Sequence, residues 1–583
     1  MKAVDRIQIS DIFQQVAQLL EVQGGNPYRV GAYRRAARSL VDFSGSLDGL
    51  AGAGRLREIP GIGEKLAQDV AEVLKTGDLA LRRELLATLP KGVEELLRIP
   101  NLGPKRARIL LEKLQIGSLG ELEYACNENR LLDLPGFGAR IQDVILAGIE
   151  RLKRFKGRFL LSDGLEAAAL LTAGLANHPQ CAQLSEAGSV RRGCETVKDV
   201  DLVAAGRPCR VLLDVFYATP GAVMQTPRGN KAKIRLKNGL QVDLHCVSPA
   251  QFPAALLHYT GSREHNIALR EHARGLGFDL SPQGLRNAGG LIACASEEDL
   301  YRILQLAPIA PELRENRGEI AAAAENRLPR LVQEADLRGV FHVHTVASDG
   351  RATLAELAAA ARARGWSYLG ICDHSQSAHY ARGLDAERVR EQWRDIDELN
   401  SQFEDFQLLK GIESDILVDG RLDYPDELLA GFDFVIASIH SHFNLGPAAQ
   451  TRRLLAAIAN PRTTMLGHPS GRLLLARDAY QFDQQAVLQA AARHGVVVEL
   501  NANPQRLDLD WRLLRTARDL GVLIAINPDA HSVQGLDHVR YGVISARKGW
   551  LEARDILNCR EKGEMLQYLR ARRAGFAARV ACP

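Results

Sequence analysis

From Gly339 onward, short apolar runs recur at intervals that leave room for one helix between neighbours. The runs are Val340–His344, Leu369–Cys372, Leu408–Glu413, Phe434–His440, Thr463–Leu466, Val496–Leu500 and Leu523–Ile526. Apolar strands alternating with helical stretches predict an α/β domain with a parallel sheet, closed or nearly closed as a distorted β/α barrel. Such folds build their sites at the strand C-terminal ends. Polar residues gather there: His342, His344, Asp349, His374, Glu413, His440, His468, Asp529 and His531. Ten of the 15 histidines lie in this part of the chain. One histidine at a strand end is usually an ordinary hydrogen-bonded residue. Nine competent ligands gathered toward the strand ends are not, because buried imidazoles and carboxylates at that density need cations beside them.

A second stretch carries a different chemistry. Gly188–Asp201, GSVRRGCETVKDVD, sets a Gly-Ser turn and two arginines ahead of a pair of aspartates. Gly188 and Ser189 let the backbone come close to a ligand. Arg191 and Arg192 are suited to forked contacts with phosphate oxygens. Asp199 and Asp201 stand two apart on an apolar run, so on a strand they face the same way. They repel each other unless a divalent cation lies between them, and oxygen ligands beside phosphates suit Mg²⁺ or Mn²⁺. Asp243, in another alternating stretch, adds a third carboxylate. Three such groups can hold two ions roughly 3.5–4 Å apart, the arrangement for in-line phosphoryl displacement.

The N-terminal part reads as helical, with Ile9, Ile12, Phe13, Val16, Leu19 and Leu20 at helical spacing. Three passages then repeat in one register: Ile59-Pro-Gly-Ile-Gly-Glu-Lys, Ile99-Pro-Asn-Leu-Gly-Pro-Lys and Leu134-Pro-Gly-Phe-Gly-Ala-Arg. Each is a turn followed by a helix start. Gly61 and Gly63 precede Lys65, Gly103 precedes Lys105, and Gly136 and Gly138 precede Arg140. Free backbone amides beside a basic side chain grip phosphate and read no bases.

At 583 residues the chain is too long for one core. No run of 18 apolar residues suggests a membrane span, and the first residues lack a signal peptide's apolar core. Nine cysteines without a Cys-x-x-Cys pair suggest reduced thiols and a cytoplasmic location. A net charge of +4 requires any basic surface to be local.

Together these motifs resemble those of bacterial family X DNA polymerases, the DNA polymerase beta-like nucleotidyltransferases, with a C-terminal PHP (polymerase and histidinol phosphatase) domain. The Gly188–Asp201 stretch resembles the family's nucleotidyltransferase signature. The likeness continues at Tyr259-Thr-Gly-Ser262, Asn266 and Arg270, and the repeats resemble helix-hairpin-helix motifs. It spans roughly residues 1–575 and implies a multidomain layout. Residues 1–90 form a DNA-end-binding helical domain with the first hairpin, and 91–151 a helical DNA-binding subdomain with the other two. Residues 152–248 form an α+β palm, 249–315 a thumb-like nucleotide-selecting subdomain, 316–338 a partly helical linker, and 339–575 the PHP domain.

The resemblance also implies roles. Asp199, Asp201 and Asp243 hold catalytic Mg²⁺ or Mn²⁺, with Asp243 favouring deprotonation of the primer 3′-hydroxyl. Gly188, Ser189, Arg192 and Arg158 take the triphosphate. Tyr259 lies at the sugar, Gly261 in the nucleotide site, Asn266 at the base and Arg270 at the template strand. In the PHP domain, three divalent ions (Mn²⁺, Zn²⁺ or Fe²⁺) are implied. His342, His344, Glu413 and Asp529 hold the first. Glu413 bridges to a second with His440 and His468, and Asp349, His374 and His531 hold the third. The expected substrates are gapped or primer-template DNA and dNTPs, handled by a monomer without membrane contact. The expected activity is short-gap filling in repair, with a 3′→5′ exonuclease. One position departs from the family: Asp69 stands where lyase-competent members have a lysine, and an aspartate cannot form an imine. Lyase activity is therefore expected to be weak or absent. Two other readings remain open at this point: a template-independent nucleotidyltransferase, and a DNA-end-binding scaffold with an inactive PHP domain.

Overall fold

The computed structural model describes residues 6–43, 47–153, 157–219 and 222–580. The chain forms two compact units, Met1–Leu152 and Lys153–Pro583.

The first unit is helical. Helix Arg6–Val22 buries Ile9, Phe13, Val16, Leu19 and Leu20 against Val30, Tyr33, Ala36 and Leu40 of helix Pro27–Asp42. Asn26 caps that second helix by accepting from the Tyr28 amide, and Pro27 fits its first turn. The three repeats fold alike. The carbonyls of Ile59, Ile99 and Leu134 accept from the amides of Ile62, Leu102 and Phe137, at 3.0 to 3.1 Å. The third residue of each turn has positive φ: 82° at Gly61, 64° at Asn101 and 80° at Gly136. Proline second and a left-handed residue third is the type II turn, which explains Gly or Asn at that position. Helices Glu64–Thr76, Pro104–Leu114 and Ala139–Lys153 follow directly.

The second unit begins with a five-stranded sheet. Its strands are β1 (Cys181–Glu186), β2 (Asp199–Gly206), β3 (Ala222–Arg228), β4 (Lys231–Leu236) and β5 (Gln241–Val247), in the order β1-β2-β5-β4-β3. Only β2 and β5 pair in parallel. Alternation fixes the two faces of β2. Val200, Leu202 and Ala204 pack under helices Leu161–Ala176 and Cys209–Tyr217. Val203 and Ala205 pack on the other face against Phe252, Ala255 and Leu256 of helix Phe252–Thr260. That second face is the one that carries Asp199 and Asp201.

Helix Arg263–Gly275, a three-stranded antiparallel sheet and helix Glu297–Ile303 complete the next subdomain. The segment 316–338, expected as a partly helical linker, carries a short helix packed on this subdomain. Its short helix Glu319–Ala324 buries Ala322 and Ala323 in this subdomain's core. Glu319 accepts from the amides of Asn316 and Arg317 and pairs with buried His265 at 2.7 Å.

The barrel strands are β6 (Gly339–Val343), β7 (Tyr368–Ile371), β8 (Gln407–Asp415), β9 (Phe434–Ser438), β10 (Met465–Leu466), β11 (Val497–Asn501) and β12 (Ile524–Asn527). They pair in parallel in sequence order. The first edge meets the last through Ala530, whose amide donates to His342 and whose carbonyl accepts from His344. Phe341, Tyr368, Phe434 and Met465 form a buried cluster with Met565 and Leu569 of the final helix. No helix among the described residues is long and apolar enough to cross a membrane.

Candidate active sites

In the five-stranded sheet, parallel pairing sets Asp201 opposite Asp243 and Asp199 opposite Gln241. Burial, and then the charges of Asp201 and Asp243, push the Asp199 carboxyl up from its ordinary range. That is the repulsion a divalent cation would relieve. Lys233 already balances part of the charge, its Nζ 2.5 Å from Asp243 Oδ2, and His245 Nε2 lies 3.2 Å from Asp201 Oδ1. Gln241 donates to Asp243 at 2.8 Å. Among the described residues, no three ligand atoms of this trio lie within 4.8 Å of one another, so the set is open rather than tightly converged.

The loop beside them is shaped by that carboxylate. Gly188 has φ +59°, and a Cβ there would meet Asp201 Oδ2 at 2.2 Å. Only glycine fits both demands. It opens a single helical turn, Gly188–Arg191, with Ser189 in it. The two arginines part company after this. Arg191 forks onto Glu297, at 2.7 and 3.1 Å, and reaches Thr260 Oγ1. It is therefore bound up in structure, although its sequence position suited phosphate equally well. Arg314 clasps the same Glu297 at 2.7 Å. Burial alone would raise the Glu297 carboxyl, but Arg314 and Arg191 hold it down at about 2. Arg192 pairs with Glu315 at 3.1 Å and donates to the Thr260 carbonyl.

Gly261 lies next to Arg192, with φ +67°. Tyr259 stacks on His245 at 3.8 Å between ring centres, and Lys231 sits 5.3 Å from the Tyr259 ring. Asn266 donates to the His258 carbonyl at 2.7 Å, and Arg270 donates to the Asn266 carbonyl at 3.0 Å. Arg158 is exposed and donates to Thr196, whose backbone oxygen lies 2.9 Å away.

In the barrel the predicted ligands converge. Glu413, on β8, is the hub. It faces His468 at 2.8 Å, His374 at 2.9 Å, His440 at 3.1 Å, His342 at 3.3 Å and His344 at 3.8 Å. Asp529 faces His344 at 3.2 Å and His342 at 3.4 Å. Asp349 faces His531 at 3.3 Å and His374 at 3.4 Å. The ligand atoms fall into overlapping groups: His344, Asp349, His374 and His531; His342, His344 and Asp529; His342, Glu413 and His468; His374, Glu413 and His440. The groups overlap at His342, His344, His374 and Glu413, so all nine side chains belong to one continuous cluster.

Burial would raise Glu413, Asp349 and Asp529, yet the surrounding imidazoles hold all three well below the usual carboxylate range. Divalent cations would supply the same charge and leave the rings neutral, as ligands must be. His342 Nε2, His344 Nδ1, both nitrogens of His374 and His440 Nε2 are buried without a hydrogen bond. Orphaned ring nitrogens aimed among carboxylates fit metal ligation. The backbone agrees, with positive φ at His342 (46°) and Asp529 (51°), a conformation that concentrates at functional sites.

Several partners escaped the sequence reading. Glu499 lies 2.6 Å from His342 Nδ1 and accepts from Asn527 and the His468 amide. Asp415 lies 2.6 Å from His440 Nδ1. Both set ring orientation, as the outer partners of metal-bound histidines do. Their only sequence signal was a charge inside an otherwise apolar strand. His379 and His442 are exposed.

In the first unit, neither Gly63 nor Gly103 offers a side chain to cap its helix, so the first-turn amides beside Lys65 and Lys105 have no such partner. Lys65 pairs with Asp69 at 2.9 Å, and Tyr33 donates to the same buried carboxylate at 2.6 Å.

Comparison with known proteins matches residues 5–79 to a helix-hairpin-helix domain and 93–151 to a SAM-like helix-hairpin-helix tandem. Residues 255–315 match the DNA polymerase beta thumb, and 341–503 the PHP domain. The chain is 34% identical over 564 residues to a DNA polymerase/3′-5′ exonuclease PolX of Bacillus subtilis (strain 168), covering 96% of this chain and 98% of that protein. A probable phosphatase of Caldicellulosiruptor saccharolyticus is 30% identical over 207 residues, 33% of this chain and 78% of its own length. One from Vibrio atlanticus is 31% identical over 222 residues, 35% of this chain and 83% of its own length.

Proposed function

Because this chain belongs to the family X DNA polymerases that carry a PHP domain, we infer that it extends a primer on gapped DNA with dNTPs and trims 3′ ends with a separate exonuclease. It uses divalent metal ions. The role is short-gap filling in DNA repair, by a monomer in the cytoplasm. The observation that supports this best is the coexistence in one chain of two distinct carboxylate sites with the phosphate-gripping hairpins.

Asp199, Asp201 and Asp243 would hold Mg²⁺ or Mn²⁺. Bound there, such ions supply charge for in-line displacement at the α-phosphorus. The chain's own groups do the positioning. Gly188 lets the backbone close on the triphosphate, and Ser189, Arg192 and Arg158 take its β,γ-oxygens. Asp243, balanced by Lys233 and Gln241, favours loss of the primer 3′-hydroxyl proton. Tyr259 sets the sugar, Gly261 lines the nucleotide site, Asn266 meets the base and Arg270 the template. Gly61, Gly63, Lys65, Gly103, Lys105, Gly136 and Gly138 hold the DNA backbone.

In the barrel, His342, His344, Asp349, His374, Glu413, His440, His468, Asp529 and His531 would hold three ions of the Mn²⁺, Zn²⁺ or Fe²⁺ type, to which imidazole with carboxylate is suited. Those ions supply Lewis acidity toward a phosphodiester and an activated water. Glu499 and Asp415 fix the rings of His342 and His440. A template-independent transferase would extend single strands as readily as gapped DNA. The test is a gapped, 3′-end-labelled DNA with Mg²⁺ or Mn²⁺, with and without dNTPs. The reading expects templated extension when dNTPs are present and 3′ shortening when they are absent.

A further inference from the structure

The barrel reaches into the nucleotide site. Its helix Val539–Lys548 lies against the turn that follows the phosphate-binding loop. A Cβ on Gly193 would meet Ile544 Cγ2 at 2.1 Å, so turn and helix touch directly. Arg547 pairs with Glu312 at 2.6 Å. Beside it, Lys548 is only 2% exposed, and its ammonium points into the turn. It donates to the Arg192 carbonyl at 3.0 Å and to Glu315 Oε1 at 2.5 Å. It also lies 4.0 Å from Cys194 Sγ and 4.7 Å from the centre of the Trp511 ring. The same Glu315 oxygen accepts from Arg192 Nε at 3.1 Å.

One carboxylate is thus shared by two cations, and one of them is the arginine assigned above to the nucleotide phosphates. A buried ammonium is costly unless it is paired. The polar partners of Lys548 all lie outside the barrel, on residues 192, 194 and 315. Its hydrogen bonds therefore tie the turn to the barrel, where the ammonium rests over the ring of Trp511. Arg192 meets Glu315 through Nε and donates to the Thr260 carbonyl through Nη1, so each forked edge of the guanidinium already has one contact in place before a phosphate arrives. Glu315 competes with an incoming nucleotide for Arg192, and a lysine that shares Glu315 weakens its hold.

We propose that Lys548 is a positioning residue of nucleotidyl transfer contributed by the barrel. By sharing Glu315 and fixing the Arg192 backbone, it keeps the Arg192 guanidinium ready to pass to the triphosphate. This rests on the reading of Arg192 as a phosphate ligand.

The test uses the full chain on gapped DNA with varied dNTP concentration. Lys548→Met is expected to raise KM for dNTP about tenfold while kcat stays within about twofold, the pattern of a lost contribution to substrate binding. Exonuclease activity, which Lys548 does not serve, should be unchanged and reports that the variant is folded. Adding Glu315→Gln removes the competing carboxylate and should return KM to within about threefold of wild type, a non-additive rescue. A purely structural role would give additive damage instead. An unchanged KM in Lys548→Met, or no rescue in the double variant, overturns the proposal. Should Lys548→Met fail to fold, Glu315→Gln alone decides. It is expected to lower KM about twofold or more, because Arg192 is freed; an unchanged or higher KM overturns the proposal. Arg192→Ala separates the premise from the inference. If that variant leaves KM unchanged, the reading of Arg192 has failed, whatever Lys548 does.

Discussion

In the five-stranded sheet, three carboxylates stand partly open to water beside a lysine and a histidine, and their oxygens do not converge. In the barrel, three carboxylates are sealed among six imidazoles, with ring nitrogens already aimed at a common centre. The contrast follows from what each site must admit. A polymerase site takes part of its metal coordination from the triphosphate and the primer end, so the protein alone leaves it incomplete. A phosphoesterase site built from these nine side chains would be nearly complete before its substrate arrives, and its charges would already have to balance one another.

The sharpest way to break this contrast is Glu413→Gln. It removes the charge that five imidazoles face. Exonuclease activity should fall by more than about a hundredfold, beyond the range for an outer partner. Elemental analysis after gel filtration should show the barrel's metal gone as well. Asp243→Ala, tested in the same way, should leave the retained metal unchanged, because the open site keeps little without substrate. Equal metal loss in both variants would remove the distinction.

Glu499→Gln grades the barrel side. Here a ring-orienting partner is lost but every ligand is kept, so exonuclease activity or metal affinity should fall by about 10–100-fold. No change in either would show that His342 is held without it.

On the polymerase side the comparable burial lies away from the carboxylates, at Glu297 between Arg191 and Arg314. Glu297→Gln leaves two arginines short of their partner and should cost roughly 3–5 kcal/mol of stability. Its pH dependence has a definite sign. The folded carboxyl sits at about 2, below its ordinary 4.5, so its contribution is complete above about 4.5 and is lost as pH falls toward 2. The gap between wild type and variant in chemical denaturation should narrow across that window. A gap that stays constant with pH would contradict the assignment.

The smallest expected signal is outside both sites. Asp69 holds Lys65 and Tyr33 where an imine-forming lysine would be needed. Borohydride trapping on incised abasic DNA should yield little adduct. Efficient trapping at Lys65 would show that the ion pair opens to free a nucleophile.

Much of this was legible in the residues because periodicity and turn chemistry are local. All seven barrel strands occur where the apolar runs lie, with shifts of a few residues at their ends. The hairpin turns follow from proline ahead of a residue that tolerates positive φ. The nine residues expected as ligands come together because they lie in the strands of one sheet or in the loops that directly follow them. What sequence could not supply was pairing between distant residues. Nothing local distinguishes Arg191, which is given to Glu297, from Arg192 one position on. Glu499 and Asp415 read as charges in apolar strands until the barrel brings His342 and His440 to them. Residues 316–338 were expected as a partly helical linker, and Ala322 and Ala323 within it pack into a core that only the tertiary fold creates.

The central claim is that two independent metal chemistries share this chain, and one assay addresses it directly. A gapped DNA labelled at the primer 3′ end is incubated with Mn²⁺, with and without dNTPs, using wild type, Asp243→Ala and the double variant His342→Ala/His344→Ala. The account predicts that Asp243→Ala loses extension and keeps 3′ shortening, whereas the double variant loses shortening and keeps extension. If either variant abolishes both activities while remaining folded, or if the double variant still shortens the strand after purification to constant specific activity, the two-site account is wrong.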